Sequence, residues 1–484
     1  MKICVGLLLW LLGRSGVDMM EIPRGLSIGA STSAYQVEGG WNASDKGVSV
    51  WDAFTHEESS LIKDRENGDI ACDSYHKYQE DVALAKNMGL QHYRFSVSWT
   101  RILPNGSPEN VSRVGIRYYK NLIDELHTYG IEPVVTLYHW DHPQSFEEVG
   151  GWANDNMIDY FVEYARVVFR ELGSRVKIWS TVNEPIIYCQ FFDFGMNDDT
   201  RKYRCAHNLL KAHAKVYHMY QREFKDRQHG QVGIVLLCHN YYSLNGIDAE
   251  AEDIAFEFGC GWLANPIFSK DGDYPAVMKQ KVAEESKYQG FTKSKLPKLS
   301  SSWIEYIKGS SDYFGLNHYT SFMVEQHPHL NDSGILKSDN PIWKKGVSDW
   351  LNIIPEGFGE VLRIIKEKYN NPPVYVLENG LSTTAGIEDL DRIKFLHDYM
   401  KQMIMAITHD GCNVQKYTVW SLLDTFEWKE AYRNRFGLVH VDFTNNRRMR
   451  TPKLSSKWLH EVITQRQLIK PDEFMKQFRA ASYV

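Results

Sequence analysis

The chain has 484 residues, 43% of them hydrophobic and 24% charged, with a formal net charge of −6 at pH 7. This balance lacks the basic face that a nucleic-acid-binding protein needs, so no nucleic-acid partner is expected. The length allows one large α/β barrel or two to three ordinary domains.

The first 16 residues have the pattern of a secretory signal peptide. Lys2 provides the charge, residues 3–12 are apolar, and residues 13–16 are small apart from Arg14. The apolar run is too short to span a bilayer, and no other stretch resembles a transmembrane helix. We therefore expect a protein secreted to the extracellular space or to the lumen of the secretory pathway, without a membrane partner.

Cysteines and sequons agree with that expectation. Six cysteines follow residue 16, and their scatter favours at most one or two disulfides, with Cys189 and Cys205 as the candidate pair. Sequons for N-glycosylation stand at Asn42, Asn105, Asn110 and Asn331.

Short apolar runs alternate with helical stretches along the rest of the chain. Strands are predicted at 26–32, 93–97, 133–138, 176–184, 232–238, 312–317, 374–378 and 417–420. Helices are predicted at 75–88, 116–129, 158–168, 205–224, 249–264, 357–369, 390–407 and 452–463. Eight such units predict a single (β/α)8 TIM barrel over 17–484, with elaborated loops at the C-terminal strand ends and a loosely attached tail at 465–484.

Two of the predicted strands end on a glutamate, Glu184 and Glu378. A single glutamate in this place is more often a surface residue, but the matching contexts favour a cooperating pair at the catalytic rim of a barrel. Two carboxylates that flank an acetal are the minimum needed to hydrolyse a glycosidic bond.

The other predicted strand ends and the loops beyond them carry mostly neutral hydrogen-bonding and aromatic side chains, with Arg94 and Glu427 as the charged members, and this composition suits a neutral polyol. His139 and His142 have no third ligand at metal-site spacing, so neither a metal nor another cofactor is expected. The strand-end set comprises Gln36, Arg94, His139, Asn183, Asn317, Tyr319, Trp420, Glu427 and Trp428.

These residues lie in motifs that resemble the β-glucosidase family of glycoside hydrolases, family 1, which also contains lactase-type enzymes and plant and insect thioglucosidases. TVNEP at 181–185 is similar to its acid/base motif and ENG at 378–380 to its nucleophile motif. Similar segments are TSAYQVEG at 32–39, YRFS at 93–96, YHWD at 138–141, GLNHY at 315–319 and WSLLD at 420–424.

The resemblance implies a retaining glycosidase. Glu378 would attack the anomeric carbon, held ionised by Arg94 and Tyr319. Glu184 would protonate the leaving oxygen and then deprotonate water, with a pKa raised by burial and by the charge of Glu378. The glycone would bind Gln36, His139, Asn183, Trp420, Glu427 and Trp428, and the leaving-group side would be shaped by Asn317 and Trp350.

Small β-D-glucosides are the expected substrates, and two alternatives stay open. A thioglucosidase acting on glucosinolates is one, because Glu184 argues only against the plant type, which lacks this acid. A non-catalytic klotho-like protein that binds a glycan or a receptor is the other, although such proteins typically lose one glutamate. The oligomeric state is open, a homodimer included.

The sequence also departs from the family pattern at two places. The loop at 191–199 is short and lacks the usual Ala-Pro-Gly, which leaves the leaving-group preference open. Thr425 and Ala431 stand where Asn and Gly are usual.

Overall fold

The computed structural model describes residues 20–191 and 198–482. Eight parallel strands close into a barrel in which each pairs with the next along the chain and the last pairs with the first. They are β1 (Ser27–Ser31), β2 (His92–Ser96), β3 (Glu132–Tyr138), β4 (Ile178–Asn183), β5 (Gln231–Leu237), β6 (Phe314–Asn317), β7 (Val374–Asn379) and β8 (Val414–Trp420). The predicted TIM barrel is confirmed.

Seven helices connect successive strands of the barrel, and an eighth follows the last strand. In α3, buried residues such as Phe161, Ala165 and Val168 recur every three or four positions and form one apolar face. The eight are α1 (Ser74–Asn87), α2 (Arg113–Thr128), α3 (Asn156–Leu172), α4 (Arg201–Glu223), α5 (Ala249–Phe256), α6 (Pro355–Lys368), α7 (Leu390–Thr408) and α8 (Leu454–Gln465). The helix predicted at 249–264 comprises α5, a π-helical turn and part of the helix that follows.

Further elements lie in the connections and after α8. The helical ones are Ala34–Val37, Val50–Glu57, Ser59–Leu61, Lys63–Arg65, Trp99–Ile102, Gln144–Glu147, Gly151–Ala153, Pro185–Phe191, Lys225–Gln228, Glu257–Gly261, Trp262–Phe268, Ala276–Tyr288, Ser301–Ile307, Trp428–Glu430 and Pro471–Ser482. A small sheet joins Asn240–Ser243, Ser321–Gln326 and Ile335–Ser338. Two-stranded pairs join Met20–Glu21 to Gln467–Leu468 and Val439–Val441 to Arg450–Pro452.

The barrel interior is a solid core. Tyr313 and Tyr375 stack inside it with ring centroids 4.3 Å apart, in a cluster completed by Val134, Ile178, Val235 and Leu377. A larger apolar cluster includes residues from both the strands and the surrounding helices. The polar residues at the strand ends are therefore positioned by strands that are packed tightly in the core.

The C-terminal segment from residue 465 to residue 482 packs against the rest of the protein, so the expectation of a loosely attached tail is corrected for these residues. Gln467–Leu468 pairs with Met20–Glu21, and the Trp458 indole N–H donates to the Ile469 carbonyl at 2.9 Å. Phe474, in the helix Pro471–Ser482, is buried. The few apolar residues of this mixed sequence are enough to hold it against the barrel.

The predicted Cys189–Cys205 disulfide is present, and Cys238–Cys260 forms a second. All four sequon asparagines are exposed. Among residues 20–191 and 198–482, no helix is both long and apolar enough to cross a membrane. The predicted signal peptide, and most of the loop at 191–199, lie outside the described residues.

Candidate active site

A cavity of about 360 Å³ lies at the C-terminal ends of the strands, a volume typical of small-molecule sites. Two of the twelve predicted site residues, Arg94 and Asn317, are buried next to the cavity and contact its lining through hydrogen bonds. The other ten line it: Gln36, His139, Asn183, Glu184, Tyr319, Trp350, Glu378, Trp420, Glu427 and Trp428.

Glu378, near the end of β7, is held by two different donors. Arg94 Nη1 donates to its Oε1 at 2.6 Å, and the Tyr319 hydroxyl donates to Oε2 at 2.7 Å. All three side chains are buried. One donor is a guanidinium and the other a phenol, and the two hydrogen bonds fix the orientation of the carboxyl group toward the cavity.

Glu184, which directly follows β4, is in a contrasting environment. Its backbone has φ 41°, a left-handed conformation that is uncommon for a residue with a side chain. Asn317 Nδ2 donates to its Oε1 at 2.7 Å. Burial, and next the negative charge of Glu378, raise the pKa of Glu184 to about 8. Glu184 is thus protonated at neutral pH beside a carboxylate, as a general acid must be.

A chain of hydrogen bonds connects the two acids. Arg94, which holds Glu378, also donates through Nη2 to Asn183 Oδ1 at 2.7 Å. Asn317 donates to that same oxygen at 3.2 Å as well as to Glu184. Because Asn317 is the register partner of Glu378 across β6 and β7, strand pairing sets the position of both carboxyl groups.

His139, directly after β3, offers a free donor to a ligand. Its Nε2 lies 3.2 Å from Asn183 Nδ2, and an amide nitrogen can only donate, so the imidazole proton is on Nδ1. Burial, and then the charge of Arg94, lower the pKa of His139 well below its usual value. The buried Nδ1 has no partner among the described residues.

Glu427 offers the complementary acceptor. The Thr425 hydroxyl and, at 3.4 Å, the Trp420 indole N–H both donate to its Oε1, which leaves Oε2 for a ligand hydroxyl. Burial is the main cause that raises the pKa of Glu427 to about 7. Gln36, whose Nε2 donates to the Phe426 carbonyl at 2.9 Å, ties this loop to β1 through the helix Ala34–Val37.

The loop that carries Glu427 has a strained backbone. Trp428 has φ 53° and Ala431 φ 51°, although both bear side chains, and each such residue costs on the order of 1–3 kcal/mol. Aromatic packing compensates, because the Trp428 ring lies 4.6 Å from those of both Trp51 and Trp140. The conformation of the loop is therefore held by packing against neighbouring aromatic residues and not by the intrinsic backbone preferences of its own residues.

Part of the cavity was not anticipated from the sequence. No site residue was assigned to strand five, yet Leu237 at the end of β5 and His239 just beyond it line the cavity, together with Ile187, Phe322 and Phe436. The rule that selected polar residues at the other strand ends also applies to His239, but it does not select the aliphatic Leu237. Trp350 is 44% exposed and packs edge-on against Tyr319 at the rim.

Comparison with known proteins agrees with this geometry. The model of Glycosyl hydrolase family 1 matches residues 19–468. The chain belongs to glycosyl hydrolase family 1. Similar proteins include Myrosinase 1 of Brevicoryne brassicae (41% identical over 459 residues, 92% of this chain and 98% of that protein) and a cytosolic β-glucosidase of Homo sapiens (40% identical, 92% and 98%).

The solved structure of an aphid myrosinase has a TM-score of 0.89 to this chain at 41% identity, covering 92% of this chain and 99% of the other. The family resemblance seen in the sequence is confirmed. As a family 1 member whose relatives are glycosyl hydrolases, the chain is an enzyme of this class. That class, together with the presence of both glutamates in one cavity, argues against the non-catalytic alternative.

Proposed function

We propose that this family 1 enzyme is a secreted, retaining β-glycosidase of small β-D-glucosides. The proposal depends on the contrast between two buried acids that line one cavity. Glu378 is bound by a cation and a phenol, whereas the pKa of Glu184 is raised to about 8. One acid is prepared to attack and the other to donate a proton.

The reaction is a double displacement. In the first step Glu378 attacks the anomeric carbon while Glu184 transfers its proton to the glycosidic oxygen, which releases the aglycone and leaves a glycosyl ester on Glu378. In the second step Glu184, now a carboxylate, takes a proton from water as the water oxygen attacks the same carbon. Glu378 is released unchanged, and the sugar keeps its β configuration.

The glycone is held by groups of complementary character. His139 Nδ1–H supplies a donor, and Glu427 Oε2 supplies an acceptor for hydroxyl groups on the sugar edge. Trp420 and Trp428 provide aromatic surface for the apolar face of the ring. Donors, acceptors and aromatic rings around one small cavity fit a neutral hexose.

Secretion is supported by three features: the signal-like sequence of residues 1–16, the two disulfides and the exposed sequons. Disulfides persist mainly in oxidising compartments. Expression in cultured eukaryotic cells tests this: the active enzyme should appear in the medium and shift in mass on enzymatic deglycosylation. Enzyme that remains in the cytosol without glycans would contradict it.

The catalytic proposal is tested with 4-nitrophenyl β-D-glucoside. Glu378→Gln should reduce turnover to background, whereas Glu356→Gln, the same change at an exposed position of α6, should have no effect. NMR of the first-formed sugar should show β-glucose before mutarotation. Equal rates for the wild type and Glu378→Gln, or α-glucose as the first product, would contradict the mechanism.

A thioglucosidase remains a second candidate because the chain is 41% identical to Myrosinase 1. A panel of O- and S-glucosides with matched aglycones separates the two. Higher kcat/KM for the O-glucosides supports our proposal, and much higher kcat/KM for the S-glucosides would replace it with the thioglucosidase.

A further inference from the structure

A second cavity of about 190 Å³ continues from the active site on the side of the proton donor. Five residues line both cavities: Glu184, Ile187, Leu237, His239 and Phe322. We call the second cavity the side lobe. Since Glu184 gives its proton to the departing oxygen, a group bonded to that oxygen has the side lobe next to it.

The walls of the side lobe are mostly apolar and rigid. Its lining includes Ile186, Leu237, Phe258 and Phe322. The disulfide Cys238–Cys260 ties the end of β5 to the π-helical turn Glu257–Gly261, so this wall is held covalently. Such a lining favours a flat or branched apolar group.

One cation stands at the edge of this apolar lobe. Lys337, in the strand Ile335–Ser338, is exposed and lines the lobe. Its Nζ lies 3.4 Å from the Tyr241 hydroxyl and 5.1 Å from that ring's centre. It forms no ion pair with any residue of the described ranges, in contrast to Lys295 and Lys345, which pair with Asp332 and Asp339.

The lining of the lobe also includes two further polar side chains, Gln190 and His239. Burial, and next the positive charges of Lys337 and His318, lower the pKa of His239 well below its usual value. Its buried Nδ1 has no partner among the described residues. The side lobe thus combines mostly apolar walls, two neutral polar side chains and one positive charge at its edge.

We propose that the side lobe binds an apolar aglycone with an anionic substituent, whose charge lies at Lys337. This inference rests on the proposed glycosidase function and specifies its substrate class. The apolar part replaces water along Ile186, Phe258 and Phe322, and the anion supplies the counter-charge that the described residues do not give to Lys337.

The test compares two glucosides that differ only in a remote charge. One has 3-(4-hydroxyphenyl)propanoate as its aglycone and the other has the corresponding propanamide, so that their phenolic leaving groups are electronically alike. Lys337→Gln should lower kcat/KM for the propanoate by roughly five- to tenfold and leave the amide within about twofold. Lys337→Glu should reverse the preference, and added salt should weaken it.

Lys344→Gln is the matched control, because Lys344 is an exposed lysine that lines neither cavity. It should behave as the wild type with both substrates. Equal ratios of propanoate to amide kcat/KM in the wild type and in Lys337→Glu would overturn the inference and leave the glycosidase intact. A wild type that hydrolyses neither glucoside nor 4-nitrophenyl β-D-glucoside would overturn the proposed function, and the inference with it.

Discussion

Replacement of the proposed proton donor, Glu184→Gln, should remove the basic limb of the pH–rate profile. The pKa of Glu184 is raised from 4.5 to about 8, first by burial and then by the charge of Glu378. That difference corresponds to ~5 kcal/mol in favour of the protonated acid. In the wild type, kcat/KM for aryl β-glucosides should therefore fall as the pH passes about 8 and the proton is lost.

The glutamine variant keeps the shape of the side chain and an oxygen for Asn317, but it has no proton to give. For phenyl β-D-glucoside, whose leaving oxygen needs protonation, kcat/KM should fall about 10²–10⁴-fold. For 2,4-dinitrophenyl β-D-glucoside, which departs as a stable phenolate, the loss should be far smaller. With either substrate the remaining activity should no longer decline on the basic side.

Initial rates at low substrate concentration, recorded from acidic to basic pH, give kcat/KM directly. Glu356→Gln is the control for loss of one carboxylate elsewhere. Two results would refute the assignment of Glu184 as the acid. One is a basic limb near pH 8 that survives in Glu184→Gln, and the other is an equal loss with both leaving groups.

Three further predictions concern stability and positioning. The pKa of Glu184 is about 8 in the folded protein, above its ordinary value of 4.5. The free energy of unfolding of the wild type should therefore fall as the pH rises from 4.5 to 8. Glu184→Gln should therefore melt higher than the wild type at basic pH by calorimetry, and a difference that shrinks as the pH rises would contradict this. Tyr319→Phe removes one donor to Glu378 and should lower kcat about 10–100-fold; unchanged kcat would mean that the phenol is dispensable. Ala431→Gly should raise the melting temperature, since φ 51° suits glycine, and a lower value would mean that the lost methyl packing outweighs the strain.

The barrel could be predicted because its signals are local. Every residue of β7 is buried, and the strand appears in the sequence as the apolar run 374–377 that ends at Glu378. The helix Ala276–Tyr288 was missed because Met278 and Val282 are its only buried apolar residues, too few for a helical period. The small sheet that contains Lys337 also depends on pairing of Asn240–Ser243 with the distant segment Ser321–Gln326, which no local pattern encodes.

The site was predictable to a similar degree. Strand ends identified Glu184 and Glu378 as a pair, and family resemblance suggested Arg94 and Tyr319 as partners of Glu378. The double role of Asn183 Oδ1, which accepts hydrogen bonds from two other strands, depends on the register of β2, β4 and β6. Register is a tertiary property, so that connection appears only in three dimensions.

Closure of the barrel has a consequence for synthesis of the protein. Ser31 of β1 donates a hydrogen bond to Val419 of β8, 388 positions later. At ribosomal rates of about 5–20 residues per second, one edge of β1 has to wait roughly 20–80 s for its partner strand. Through that interval the nascent sheet exposes unpaired backbone groups, which are sites for incorrect pairing between chains. A chain terminated before residue 414 would lack β8 altogether and would retain two open sheet edges in place of a smaller working barrel.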